Sequence, residues 1–138
     1  MTVTFVDAGV LIAAARGRAD VFARAMEILD DPERTFASSE FVRLEVLPKA
    51  VFNRKSEEAE FYSEFFRAVS HWPGNIDAVV TDAYNKGIKY GLAAMDALHA
   101  AAAISAGAEE FITTEKDGKP LHRVTDIRVQ SIHTDAAP

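Results

Sequence analysis

The sequence predicts an α/β protein, a three-layer α/β/α sandwich with a central, mostly parallel sheet. Three observations predict it. Short apolar runs alternate with segments whose apolar residues recur at three- and four-residue steps, the pattern of strands separated by crossover helices. The chain has 138 residues, 49% of them hydrophobic, which suits one domain with a substantial core. The alanine-rich run from about Ala94 reads as a helix ended by Gly107, and it leads straight into an apolar run, Phe111-Ile112-Thr113-Thr114, that reads as a buried strand.

In chain order, Val3 to Val6 form a first strand with Asp7 at its exit, followed by a short apolar helix, Val10 to Ala15, stopped by Gly17. Ala19 to Asp30 form a second helix with Val21, Phe22, Ala25, Ile28 and Leu29 inward, broken by Pro32. Thr35 to Ser38 are a short strand. Ser38 or Ser39 then caps a helix from Glu40 to Leu47, which Pro48 bends or ends. Ser56 starts a helix whose Ala59, Tyr62, Phe65, Phe66 and Val69 make an apolar face, with Glu57, Glu58, Glu60 and Glu64 outside. A short strand near Val69 to Trp72 ends at Pro73-Gly74. Asn75 caps the next helix, with Ile76, Val79, Val80, Ala83, Gly87 and Tyr90 in register, and Gly91 closes it. Gly118 to Arg123 read as a polar loop and Ile127 to Ile132 as a half-exposed edge strand. One domain is expected over residues 1–133, with a flexible tail over 134–138.

Composition narrows the function. Fifteen Lys and Arg against 21 Asp and Glu give a formal charge of −6, which argues against unaided binding of nucleic acid through phosphate contacts but not against an enzyme that brings divalent cations to phosphate. The absence of cysteine excludes disulfides and thiolate zinc sites and makes the cytoplasm the default. No apolar run reaches the roughly 20 residues of a membrane helix, so no membrane association is expected.

Acids gather at element ends and inward faces: Asp7 after the first strand, Glu45 on a central helix, Asp96 in a first helical turn, Glu115 and Asp117 after a later strand. Asp7 alone is equally a helix cap. Glu45 stands four residues after Phe41, so it shares a face with an apolar side chain and is expected to point inward, where it needs a partner. If the acids converge, carboxylates about 4 Å apart repel by on the order of 4 kcal/mol per pair at an effective dielectric near 20. A cation would relieve that cost. An all-oxygen donor set points to Mg²⁺ or Mn²⁺ rather than Zn²⁺, and such ions activate water and clamp a phosphodiester.

The ordered set Val6-Asp7-Ala8-Gly9-Val10-Leu11, Ser39 through Glu45-Val46, Gly91 through Asp96-Ala97-Leu98-His99, and Phe111 through Asp117 resembles the PIN-domain nucleases and, within them, the VapC-like ribonuclease toxins. The resemblance spans nearly the whole chain. It implies that Asp7, Glu45 and Asp96 are the three principal metal-site acids. Glu115 matches a fourth position that is usually Asp, Asp117 the acid just after it, and Gly118 stands where the family often has an aromatic. Ser39, Thr113 and Thr114 match supporting polar positions. It further implies an RNA substrate, a small antitoxin partner whose tail occupies the acidic groove, and a homodimer. His99 lies one turn from Asp96 and can pair with it, although a satisfied helix histidine is the commoner arrangement. Arg16, Arg18, Arg43, Lys49, Lys116, Lys119 and Arg123 flank the acids, and none of them stands out as an RNA contact.

Two other readings stay open on sequence grounds. One is a phosphatase with Asp7 as nucleophile; the haloacid-dehalogenase type expects an acid two residues on, where this chain has Gly9. The other is a non-catalytic PIN-like scaffold that binds a partner through its acidic surface.

Overall fold

The computed structural model describes residues 1–18 and 20–133. Four parallel strands, β1 (Thr2–Val6), β2 (Arg34–Ala37), β3 (Glu110–Thr113) and β4 (Arg128–Ser131), form one sheet in the order β2-β1-β3-β4. Six helices surround it: α1 (Ala8–Arg16), α2 (Phe22–Leu29), α3 (Glu40–Phe52), α4 (Ser56–Ala68), α5 (Ile76–Tyr90) and α6 (Ala94–Ser105), and a 3-10 turn spans Pro120–Arg123. The three-layer parallel α/β/α architecture read from the sequence is the one observed. The anticipated helix start at Ala19 and the tail over 134–138 lie outside the described residues.

The chain leaves β1 for β2 on one side, returns across the sheet to β3 on the other, and continues outward to β4. The direction of winding therefore reverses between β1 and β3. In such sheets the crevice outside the carboxyl ends of the two strands at the reversal is where ligands bind. β1 and β3 are central; β3 is buried throughout and β1 from Thr4 on, with Phe5, Val6, Phe111 and Ile112 at 1% exposure or less, whereas β4 alternates between exposed and half-buried residues as an edge strand should.

Alanine explains the placing of α6. Ala100 and Ala103 join the main core beneath the sheet, while Ala97, Ala101 and Ala102 pack with Val79 and Ala83 of α5. Side chains this small let one helix sit against neighbours on two sides, and the strong helix propensity of alanine keeps the backbone regular while it does so.

Several local expectations are corrected. α3 runs through Pro48 to Phe52, because Pro48 and Leu44 lie on the exposed face, where water can satisfy the carbonyl that proline leaves unpaired, while Val42, Val46 and Ala50 stay buried. α2 starts at Phe22, after an N-cap, Val21, with no side-chain acceptor, and Phe22 itself is exposed. The segment 69–72 makes a single bridge, His71 to Ala37, and no strand forms before Pro73. Within 118–123 the expected loop contains the 3-10 turn, pinned by buried Leu121 and by Arg123 Nη1 donating to the Tyr90 carbonyl at 3.0 Å.

A polar rung crosses the whole sheet at its amino-terminal end. Glu110 opens β3 opposite Thr4 of β1 and Arg128 of β4, and it is 1% exposed. Its carboxylate accepts from Thr4 Oγ1 at 2.6 Å, Arg34 Nε at 2.8 Å and Arg128 Nη2 at 2.6 Å, and Arg34 also pairs with Asp31 at 2.7 Å. Burial by itself pushes the Glu110 carboxyl up, but these three donors together hold it below its ordinary value. Removing the charge weakens both arginine contacts, but Arg34 keeps Asp31 and the Arg128 side chain is 68% exposed, so Glu110→Gln is expected to cost about 1–2 kcal/mol in urea unfolding at pH 7. A depressed folded pKa contributes stability above the unfolded value and loses it as pH falls, so the gap between wild type and variant should close below about pH 4.

Candidate active site

The opposite, carboxyl end of the same strand pair holds the candidate site. Asp7 directly follows β1 and caps α1, with Oδ1 accepting from the Val10 N–H at 3.2 Å. Its other oxygen accepts a short hydrogen bond from the Thr113 hydroxyl at the end of β3. The capping and site readings of Asp7 are thus compatible, because an ionised carboxylate has about four acceptor positions and these two bonds use half of them. Thr113 is fully buried and also accepts from the Glu115 N–H at 3.0 Å, so one hydroxyl sets Asp7 and the turn that carries Glu115.

Asp96 sits in the first turn of α6, where the aligned peptide dipoles favour negative charge. Among the described residues no group donates a hydrogen bond to its side chain, and the exposed Glu115 side chain is likewise unbonded. Burial pushes the Asp7 carboxyl up to about 6, in spite of its bonds from Thr113 and Val10 and the favourable His99, with Glu115 adding repulsion. Burial also raises Asp96; Glu115 and Glu45 add to the rise, and His99 opposes it. Asp7 and Asp96 thus each feel Glu115 and His99, and Asp96 feels Glu45 as well.

His99 is buried, its ring against Phe5, and its Nε2 makes a short contact with Glu45 Oε1. Its partner is thus Glu45, not Asp96. Glu45 does not point inward: its side chain is 38% exposed on the rim, reaching over to α6. Asp117 stands apart, 93% exposed, with His122 Nδ1 at 3.8 Å. Ser39 Oγ is spent on capping α3, accepting from the Val42 N–H at 3.3 Å. Thr114 packs its hydroxyl against Gly9, where a Cβ would come within 2.2 Å of Thr114 Oγ1. Gly9 went unrecognised from sequence as part of the site. Its signal was a glycine inside the first turn of an otherwise apolar helix, a costly choice that marks close approach of another element.

The flanking cations mostly have structural partners. Arg16 binds Glu58, Arg18 pairs with Asp20, and Arg43 pairs with Glu40 and lies over the rings of Phe66 and Trp72.

The donor set is entirely oxygen apart from His99, which suits a hard dication. Among the described residues no three acidic or histidine side chains close into a cage. Mg²⁺ tolerates that arrangement, since it keeps several waters and is commonly held by one or two carboxylates. Asp7 and Asp96, raised and incompletely bonded, fit such a site, with Glu115 at its margin.

Fold and site define a class: a doubly wound α/β domain with an open carboxylate site at the strand reversal. The profile of the PIN domain matches residues 4–126, and the chain belongs to the PIN-domain family. No curated protein sequence matches it. Solved structures share the fold. VapBC2 from Rickettsia felis, bound to a DNA fragment from the promoter, aligns with TM-score 0.67 and 18% identity over 94% of this chain and 98% of that chain. DNA-bound VapBC from Salmonella typhimurium aligns with TM-score 0.68 and 14% identity over 96% and 99%. VapBC-1 from nontypeable Haemophilus influenzae gives 0.64 and 18% over 95% and 98%. No helix among the described residues is long and apolar enough to cross a membrane.

Since the folded pKa of Asp7 lies above its unfolded value, ionising it costs the metal-free fold stability as pH rises through about 4 to 6. Asp7→Asn removes the charge; its single amide oxygen can still accept from the Val10 N–H, and its NH2 can donate to Thr113 Oγ1, which reverses that bond. It should therefore stabilise the metal-free protein by about 1–3 kcal/mol at pH 7.5, with no gain at pH 3.5, in paired thermal melts.

Proposed function

We propose that the chain is a Mg²⁺- or Mn²⁺-dependent endoribonuclease and the toxin of a toxin–antitoxin pair. The observation that carries this is that Asp7 and Asp96, carboxylates on separate elements, are each raised first by burial and each feel the same two neighbours, Glu115 and His99. Membership of the PIN-domain family and the likeness in fold to chains of VapBC complexes support the reading.

In this proposal Asp7 and Asp96 hold the cation, and Glu115 is an outer ligand with one methylene more than the Asp usual there. A bound dication would polarise the phosphodiester and lower the pKa of water beside it. The protein's own groups do the rest. Val10 N–H and Thr113 Oγ1 fix the Asp7 carboxylate, and Gly9 leaves room for Thr114 next to it. Glu45, tethered through one oxygen to His99 Nε2, has its second oxygen free to take a proton from the attacking water. Asp117, facing solvent beside His122, serves at most as an outer carboxylate.

Asp96→Ala should abolish metal-dependent cleavage of a mixed single-stranded RNA pool, at least 100-fold, with the circular dichroism spectrum unchanged. Asp117→Ala should retain activity within about threefold. Full activity in Asp96→Ala sinks the proposal, and a folded wild type that neither cuts RNA nor gains melting temperature with Mn²⁺ supports the scaffold reading instead.

We also propose a homodimer, and a small antitoxin whose tail lies in the acidic groove. What supports self-association is an apolar stripe along α5, where Ile76, Val80, Tyr84 and Ile88 follow at four-residue steps, all more than a third exposed and Ile88 at 82%. Val80, Tyr84 and Ile88 border an apolar groove shared with Leu92, in the turn before α6, and with Ala94 and Leu98 in its first turns. A contiguous apolar surface of this kind marks an interaction site. Ile88→Asp should convert the protein to a monomer in light-scattering chromatography while leaving its melting temperature within about 3 °C.

A further inference from the structure

Four helices of this chain end in a left-handed residue. After α1, α5 and α6 that residue is glycine: Gly17 at φ 64°, Gly91 at φ 67° and Gly107 at φ 83°. After α3 it is Arg54, at φ 56° and the single non-glycine residue with positive φ among those described. The turn itself is an ordinary helix stop, with Arg54 N–H donating to the Val51 carbonyl at 3.1 Å and Lys55 N–H to Ala50 at 2.9 Å. Glycine occupies such positions because a Cβ there crowds the backbone. Arginine gives the turn nothing that glycine would not. Its guanidinium makes no ion pair or side-chain hydrogen bond among the described residues, so the fold does not use the charge either.

Arg54 lines a cleft of about 820 Å³ between α1, α3 and α4 that reaches Glu45 at the rim of the acid site. Arg54 lies two residues past the end of α3, and Glu45 is seven residues inside it, about 10 Å along the helix axis. Lys49 and Lys55 line the same cleft. Of the facing carboxylates, Glu58 is engaged by Arg16 and Tyr62, and Glu57 remains. The cations thus follow the cleft away from a site that is itself negative. A guanidinium is the side chain best shaped for bidentate contact with phosphate.

We infer that this cleft carries the phosphodiester backbone of single-stranded RNA leaving the acid site, with Arg54 as a phosphate-binding residue and Lys49 and Lys55 beside it. The inference rests on the ribonuclease reading and extends it to how the strand is held. A strained arginine where the rest of the chain uses glycine is a conformational cost kept for a ligand.

The test uses the full chain, a fluorescein-labelled 12-nucleotide single-stranded RNA, and Ca²⁺ in place of Mg²⁺ to keep the strand whole, read by anisotropy across a salt series. Arg54→Gly should weaken binding about 3- to 10-fold near 0.1 M salt and lower the slope of log affinity on log salt by about 0.7. Its melting temperature should equal or exceed that of wild type, since the strain is relieved. Arg54→Lys should recover part of the affinity but not the added stability. If wild type binds the RNA and Arg54→Gly binds it with the same affinity and slope, the cleft assignment is wrong and the nuclease reading stands. If wild type binds no RNA at any salt, both fall. A loss confined to a 12-residue poly-glutamate probe, with RNA binding intact, would give the cleft to a protein partner and overturn its assignment to RNA.

Discussion

The pairing of β1 with β3 is the constraint from which the site follows. At each end of this strand pair a threonine hydroxyl on one strand donates to a carboxylate on the other: Thr4 of β1 to Glu110, and Thr113 of β3 to Asp7. The two contacts are chemically alike and electrostatically opposed. Glu110 is met by two arginines and is held below its ordinary pKa, whereas Asp7 has no arginine or lysine partner among the described residues and is pushed well above its own. One end fastens the sheet and the other keeps an unmet demand for positive charge.

That demand sits where the winding reverses. The elements delivering acids there are rigid: Asp7 caps a helix, Asp96 rides the first turn of α6, and Glu115 follows a strand whose last residue holds Asp7. Carboxylates on short leashes from helix and strand ends cannot relax far apart, so their repulsion persists in the folded state. The same rigidity accounts for the marginal place of Asp117, two residues beyond the last such anchor and turned to solvent.

The architecture was legible because it depends on short-range pattern. Periodicity located the strands and helices, and Ser39, Asn75, Gly91 and Gly107 marked helix ends through local capping chemistry. What pattern could not reveal was anything fixed by register or by which face of a helix meets solvent. Glu110 drew no notice beside the apolar run from Phe111, and only the alignment of four strands gives it Arg34 and Arg128. His99 and Glu45 are 54 residues apart and meet through the packing of α3 on α6. Pro48 signalled a bend or a stop, and its exposed position let the helix continue to Phe52. Gly9 looked like a gap in a phosphatase motif and is instead the space Thr114 needs.

The alanines of α6 have one more effect. With methyl groups as the spacers on both flanks, the helix has almost no slack, and any bulkier side chain would tilt it as a rigid rod about its buried middle. Because Asp96 lies at the tip of that rod, drift in these bland interior positions is converted into displacement of the carboxylate. The plainest part of the sequence thereby helps to set where the acid stands.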